Sequence, residues 1–371
     1  MGATDRAQRC VPGRRPGFAR DRRRRIRLVS PRRIGWAFAG FLLFVLALEI
    51  ARAGASSLVP VLSDLRVSGV ANGLGFGWLF AYILLSGSPV AAIGVTLLSE
   101  GVFSETEAFA VVAGSRLGAS FIVLAVGFAA YRFGRRSGDG LAIGIVAMLT
   151  TFTTQGPAIA LGFLALRSGW LDGVRPTTPD ALLRGSDRVF GEVVDVFDAA
   201  LPGLLLFAAG AAVLLLAFAV FERALPRLEG EADSIRRSLA VLNRRPMMFL
   251  MGVLITLTTL SVAVSLTVLV PLALRGYVRR EHVIPYVLGA NIATFVDTLG
   301  ASVIVGGDAA VAVVVAQMAS ITAVSVLVLT VLYQPYRGGI LACERWIAGR
   351  PQRLAGFLGV IVALPLVLLL V

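Results

Sequence analysis

The chain has 371 residues, of which 57% are apolar and 15% charged, and its mean hydropathy is +0.83. A soluble domain carries about 25% charged residues, so an ordinary soluble enzyme or binding domain is excluded. The net charge of +13 comes entirely from arginine, with no lysine in the chain. These arginines cluster at loops and termini without interleaved aromatics, which argues against a nucleic-acid surface and fits the positive-inside rule of membrane proteins.

In chain order, residues 1–33 hold 12 Arg against two Asp. They read as a disordered tail that fixes the N-terminus in the cytoplasm of a bacterial inner membrane. A first span is expected at about 34–53. The apolar stretch at about 72–99 is interrupted by Ser86-Gly87-Ser88-Pro89 and followed by Glu100, Glu105 and Glu107. The next run, about 107–131, ends in Arg132, Arg135 and Arg136. If basic loops are cytoplasmic, the parity closes only when 72–99 leaves and returns to the outside, as a re-entrant hairpin with its tip near Gly87. Run 140–166 leads to an external loop at 167–198, and run 199–221 returns to a basic loop. The stretch 246–274 ends at Arg275, Arg279 and Arg280. By the same parity it is a second hairpin, entering from inside. Runs 282–305 and 309–333 go out and back, 334–353 is a basic cytoplasmic loop, and 354–371 is a last span ending outside. The predicted fold is therefore an all-α polytopic membrane protein. Two inverted repeats, 34–166 and 199–333, each hold a hairpin and a polar-centred helix.

A repeat should leave a trace in the sequence, and an offset of 175 supplies one. It pairs Gly101 with Gly276, Gly114 with Gly289, Ser86 with Ser261, Val95 with Val270, Leu97 with Leu272 and Val112 with Val287. Inverted repeats with broken helices are a common carrier plan, with the solute bound near the midplane. Backbone that leaves the helix at that depth requires a protein-lined or watered cavity.

Residues Leu288-Gly289-Ala290-Asn291-Ile292-Ala293-Thr294 resemble the "GANIGTT" signature of sodium/phosphate cotransporters. In that family a Gln-Ser-Ser-Ser hairpin precedes the signature in each of two repeats. The resemblance covers roughly 72–131 and 246–305. It implies a sodium-coupled carrier of phosphate, a homodimer, and site roles for Ser86, Ser88, Ser261, Asn291 and Thr294, with Gly87 at the hairpin tip. The chain departs from the pattern at Leu85 and Leu260, which stand where the family has Gln, and at Arg116, which stands where the first repeat has Asn.

Arg116 lies mid-span, where a charge costs at least about 2.5–3.5 kcal/mol on insertion scales and marks function by default. A guanidinium matches phosphate or carboxylate with two parallel bonds. Arg116 is therefore a candidate anion ligand, with a structural ion pair as the equal alternative. Asp297, one turn beyond Thr294, is its expected partner, or a group that binds sodium or carries a proton. The half-helix after Ser86 and Ser88 points its N-terminus at the site, which favours anions. Thr153, Thr154 and Gln155, in a polar stretch that ends in Gly156-Pro157, are expected at a kink. They read either as solute-path residues or as interhelical hydrogen bonders.

Cys10 and Cys343 have neither disulfide nor metal spacing, His282 among Arg279, Arg280 and Glu281 reads as a surface residue, and no enzyme signature or cofactor motif is present. Three functions remain open: an anion carrier, a membrane enzyme or lipid-phosphate carrier using Arg116, and a transport-inactive relative of the same fold.

Overall fold

A computed structural model describes residues 31–64, 69–133, 139–169, 180–224, 244–274, 278–305 and 307–371. The basic tail expected over 1–33 lies outside them except for its last three positions. Every regular element among the described residues is helical. Seven helical segments there are long and apolar enough to cross a membrane. The chain is a polytopic α-helical membrane protein.

The first span is α1 (Pro31–Gly54), followed after a short 3-10 turn by α2 (Leu58–Asp64). The first hairpin is α3 (Val70–Leu84) and α4 (Ser88–Ser99). At about 1.5 Å per residue, neither limb is long enough to cross the bilayer alone. Next come α5 (Glu105–Ala119) and α6 (Phe121–Phe133), then α7 (Asp139–Arg167). An amphipathic helix, α8 (Asp180–Ala200), precedes α9 (Gly203–Ala224). The second hairpin is α10 (Arg245–Thr259) with a broken return limb, α11 (Val262–Thr267) and α12 (Leu269–Leu274). The chain ends with α13 (Arg280–Ala293), α14 (Phe295–Val305), α15 (Asp308–Thr330), α16 (Tyr333–Ala348) and α17 (Pro351–Leu370).

Packing fixes the direction of each limb. Along α5, Gly73 of α3 meets Glu107 and Ala110, Gly77 meets Val111, and Trp78 meets Gly114 and Gly118, so α3 runs parallel to α5. On the same helix Gly87 meets Ser115 and Ala119 while Gly94 meets Val111 and Val112, so α4 runs antiparallel to it. The two limbs therefore form a hairpin that turns beside the middle of the α5–α6 span. Its base is tied to the start of α5 by Glu107. One Glu107 carboxylate oxygen accepts from the Ser104 backbone N–H at 2.9 Å and closes a capping box, and the other accepts from the Gly69 N–H at 2.8 Å.

The turn has a local cause. Ser86 N–H donates to Ala81 and Leu85 N–H to Tyr82, a Schellman closure of α3 that places Leu85 in the left-handed region at φ 50°. Pro89 then suits the first turn of α4, where no N–H is required. Leu260, 175 residues on, has φ 48° and ends α10 in the same left-handed conformation, with the Ser261 N–H on the Thr259 hydroxyl at 3.4 Å.

The offset of 175 holds in three dimensions. Helix α3 maps onto α10 residue for residue. Gly77 packs on the Val111 backbone as Gly252 packs on that of Tyr286, and Gly114 meets Leu74 and Trp78 as Gly289 meets Phe249 and Val253. A side chain at any of these four glycines would strike backbone or neighbouring side-chain atoms, which is why close helix approach demands them.

The repeats are inverted. Helix α1 packs antiparallel to α9, with Gly40 on Phe221, Gly210 on Ala51 and Gly54 on Phe207. On the side where α1 ends, Arg52 bonds Glu100 at the base of the first hairpin, at 2.9 Å, and Gly162 near the end of α7 packs on Phe109. Helix α9 then crosses back to the side where α1 begins, where the second hairpin starts. There Arg245 stacks on the Tyr333 ring, the Tyr333 hydroxyl donates to the Glu281 carbonyl, and Arg280 pairs with buried Glu344 at 3.1 Å. Ile347 of α16 shares a cluster with Leu141 at the start of α7 on that same side. The last helix runs antiparallel to α3, with Tyr82 on the Ile361 carbonyl and Asn72 on that of Leu369.

Three expectations change. The segments 167–198 and 334–353, read as loops, contain the helices α8 and α16. Both are amphipathic, with an apolar side and a charged side. The Gly156-Pro157 step does not break α7, which continues from Asp139 to Arg167. Instead, the spans read as single runs over 107–131 and 282–305 are each interrupted at mid-depth, at Ser120 and at Thr294.

Candidate functional site

These interruptions and the first hairpin tip converge on Arg116. Helix α5 carries Arg116 one turn before its end, and the guanidinium crosses to the other repeat. Its Nη1 donates to the Thr294 hydroxyl at 2.9 Å and its Nη2 donates to the Thr298 hydroxyl. Nη2 also lies 3.6 Å from Asp297 Oδ1, and the guanidinium stacks 4.7 Å from the centre of the Phe295 ring. Thr298 in turn donates to Asp297 Oδ1 at 2.9 Å, so one hydroxyl links cation and anion. Arg116 is 3% exposed and Asp297 9%, which seals the pair from bulk water. Among the described residues, Arg116 Nε and Asp297 Oδ2 have no hydrogen-bond partner.

Ser88 is buried in the first turn of α4 and its hydroxyl faces the Asp297 carboxylate. The leading N–H groups of a helix have no intrahelical acceptors, so the α4 N-terminus adds a second positive pole to that of Arg116. Helices α4 and α14 pack against each other along this contact. The site thus lies between the repeats and is asymmetric. By the offset of 175, Arg116 corresponds to Asn291 and Asp297 to Ile122.

The other sequence candidates lie elsewhere. Gly87 packs its backbone on Ser115 at the hairpin tip, and Ser86 beside it is half-buried. Ser261 accepts from the Val264 N–H at 3.3 Å and caps α11. Asn291 donates to Thr151 of α7 at 3.3 Å. Thr154 bonds the Thr150 carbonyl within its own helix. Thr153 is exposed and meets the Tyr336 hydroxyl at 2.6 Å. Gln155 accepts from Gln317 of α15 at 2.9 Å. Helices α10, α11 and α13 are joined by a buried chain in which Thr256 donates to Ser265 and the Tyr286 hydroxyl lies 2.8 Å from Ser265. Sequence reading missed Thr298 and Phe295. Thr298 follows Thr294 by one helical turn, so spacing alone would have nominated it. Phe295 carries no such signal.

The class that fold and site define is a polytopic membrane protein with two oppositely entering hairpins and a buried charged pair between the repeats, at the tip of the first hairpin. No protein-family model, no curated protein and no solved structure matches the chain.

Proposed function

We propose that the chain is a secondary carrier of a small anion, with Arg116 as the anion's ligand at the midplane. The observation that carries this reading is an arginine buried at mid-depth between inverted repeats, beside a hairpin tip whose helix N-terminus also favours negative charge. Hydroxyls of Ser88, Thr294 and Thr298 surround the same point and suit an oxyanion. Inverted halves framing one site give alternating access by rocking one repeat against the other.

The similarity to sodium/phosphate cotransporters makes phosphate the first anion to offer, sodium the first coupling ion to vary, and a homodimer the first assembly to look for. The arginine bias of the loops supports a bacterial inner membrane, with the side where α1 begins facing the cytoplasm. The test is uptake of radiolabelled phosphate, and of sulfate and succinate, into sealed proteoliposomes with and without sodium. Wild-type protein is expected to accumulate at least one of these anions, and Arg116→Ala to lose at least about 100-fold in uptake efficiency, as removal of a charge-paired ligand implies. Unchanged affinity in a folded Arg116→Ala variant contradicts the assignment of the ligand.

A further inference from the structure

We propose that Asp297 is a built-in stand-in for the transported anion, and that it releases Arg116 to that anion by taking up a proton, so that the carrier is coupled to protons rather than sodium. This rests on the small-anion reading above. The carboxylate already occupies the position expected of an incoming oxyanion. It faces the guanidinium at 3.6 Å, accepts from Thr298 at 2.9 Å, and meets Ser88 at the N-terminus of α4. Arg116, Ser88 and Thr298, three of the groups that would recognise the substrate, are thus engaged by a side chain of the same chemistry.

An anion that takes over Arg116 leaves Asp297 without its cation in a sealed site. A buried carboxylate in that position neutralises rather than stays charged. Its buried Oδ2, without a hydrogen-bond partner among the described residues, takes the proton, which comes from the aqueous phase when the site opens to admit the anion. With a monoanion the net charge of the site is unchanged, and with a dianion the loaded site carries one extra negative charge. The empty site holds one guanidinium and one carboxylate, and the loaded site holds the guanidinium, the anion and a neutral carboxyl. No heavy-atom bond forms or breaks.

Sodium does not fit the same task. A cation on Asp297 would sit beside the guanidinium and at the positive end of α4, both of which repel it. Arg116 of α5 is the one charged side chain acting on Asp297 among the described residues. Helix α4 contributes only the Ser88 hydroxyl, and α14 itself only Thr298.

The test is calorimetric binding of sulfate, succinate and inorganic phosphate to the purified full-length protein from pH 5.5 to 8.5, first in choline and then in sodium buffer. Sulfate keeps its charge over this range and gives the cleanest slope. Wild-type affinity is expected to fall about tenfold per pH unit on the alkaline limb, as linkage to one proton requires, and to be the same in choline and sodium. The Asp297→Asn variant is expected to lose the pH dependence and to bind more tightly than wild type at pH 8.5. Wild-type binding that ignores pH, or that requires sodium, overturns the proton switch and leaves the anion carrier standing. Failure of all three anions to bind at any pH overturns both. If Asp297→Asn does not fold, the wild-type slope decides alone.

Discussion

Arg116 and Asp297 are held in a way that makes their energetics asymmetric. Taking two charges out of water is costly, and their attraction offsets that cost only while both are present. Removing one partner leaves a buried, unpaired charge, which costs roughly 3–5 kcal/mol. Replacing both with apolar residues of similar volume is nearly neutral. Asp297→Leu is therefore expected to lower thermal stability in detergent sharply. The double variant Arg116→Met with Asp297→Leu should recover most of that loss while abolishing anion uptake. A double variant no more stable than the single one would show that the two side chains do not depend on each other. The Thr294 and Thr298 hydroxyls share in this: each loses its guanidinium donor with Arg116, but as hydroxyls they can turn to a backbone carbonyl of their own helix.

At the scale of elements, two glycine contacts carry the hairpins. Gly77 and Gly252 let α3 and α10 lie directly on the backbones of α5 and α13. Adding a side chain there forces the helices apart, and overpacking of this kind costs typically about 1–3 kcal/mol. Gly77→Val and Gly252→Val are expected to destabilise to a similar degree, read as paired shifts in unfolding temperature. A large effect at one position and none at the other would contradict equivalence of the two hairpins. This pairing was half legible in the sequence. The offset of 175 follows from identities such as Gly114 with Gly289, and the left-handed residues Leu85 and Leu260 fall where the interruption of 72–99 and its counterpart placed a turn. Helices α8 and α16 were not legible, because hydropathy averaged over a span-length window misses a helix whose apolar residues occupy only one side. Helix α7 is also not broken at Pro157. Neighbouring helices and helix-internal Thr bonds at 150–154 hold α7 continuous, as membrane helices often do around proline.

For the whole molecule, packing fixes which helix ends share a side. Helix α1 ends where the first hairpin begins and ends, α9 returns to the opposite side, and the second hairpin starts there. What the sequence could not convey is which polar residues meet. Ser88, Arg116, Thr294 and Asp297 come from three helices and from both repeats, and only their three-dimensional crossing brings them within bonding distance. Asn291 of α13 bonds Thr151 of α7 instead, although on an unbroken helix it would share a face with Thr294; the interruption of the span at Thr294 separates their surroundings. In the proposed carrier the carboxylate on Arg116 holds the place of a transported oxyanion. Selenate, a tetrahedral oxyanion with an anomalous signal, tests this in a structure of the protein soaked at acidic pH. The expected result is a selenium peak within hydrogen-bonding distance of Arg116 and close to Ser88, with Asp297 moved off the guanidinium. A site saturated with selenate elsewhere, with the Arg116–Asp297 pair intact, would contradict it.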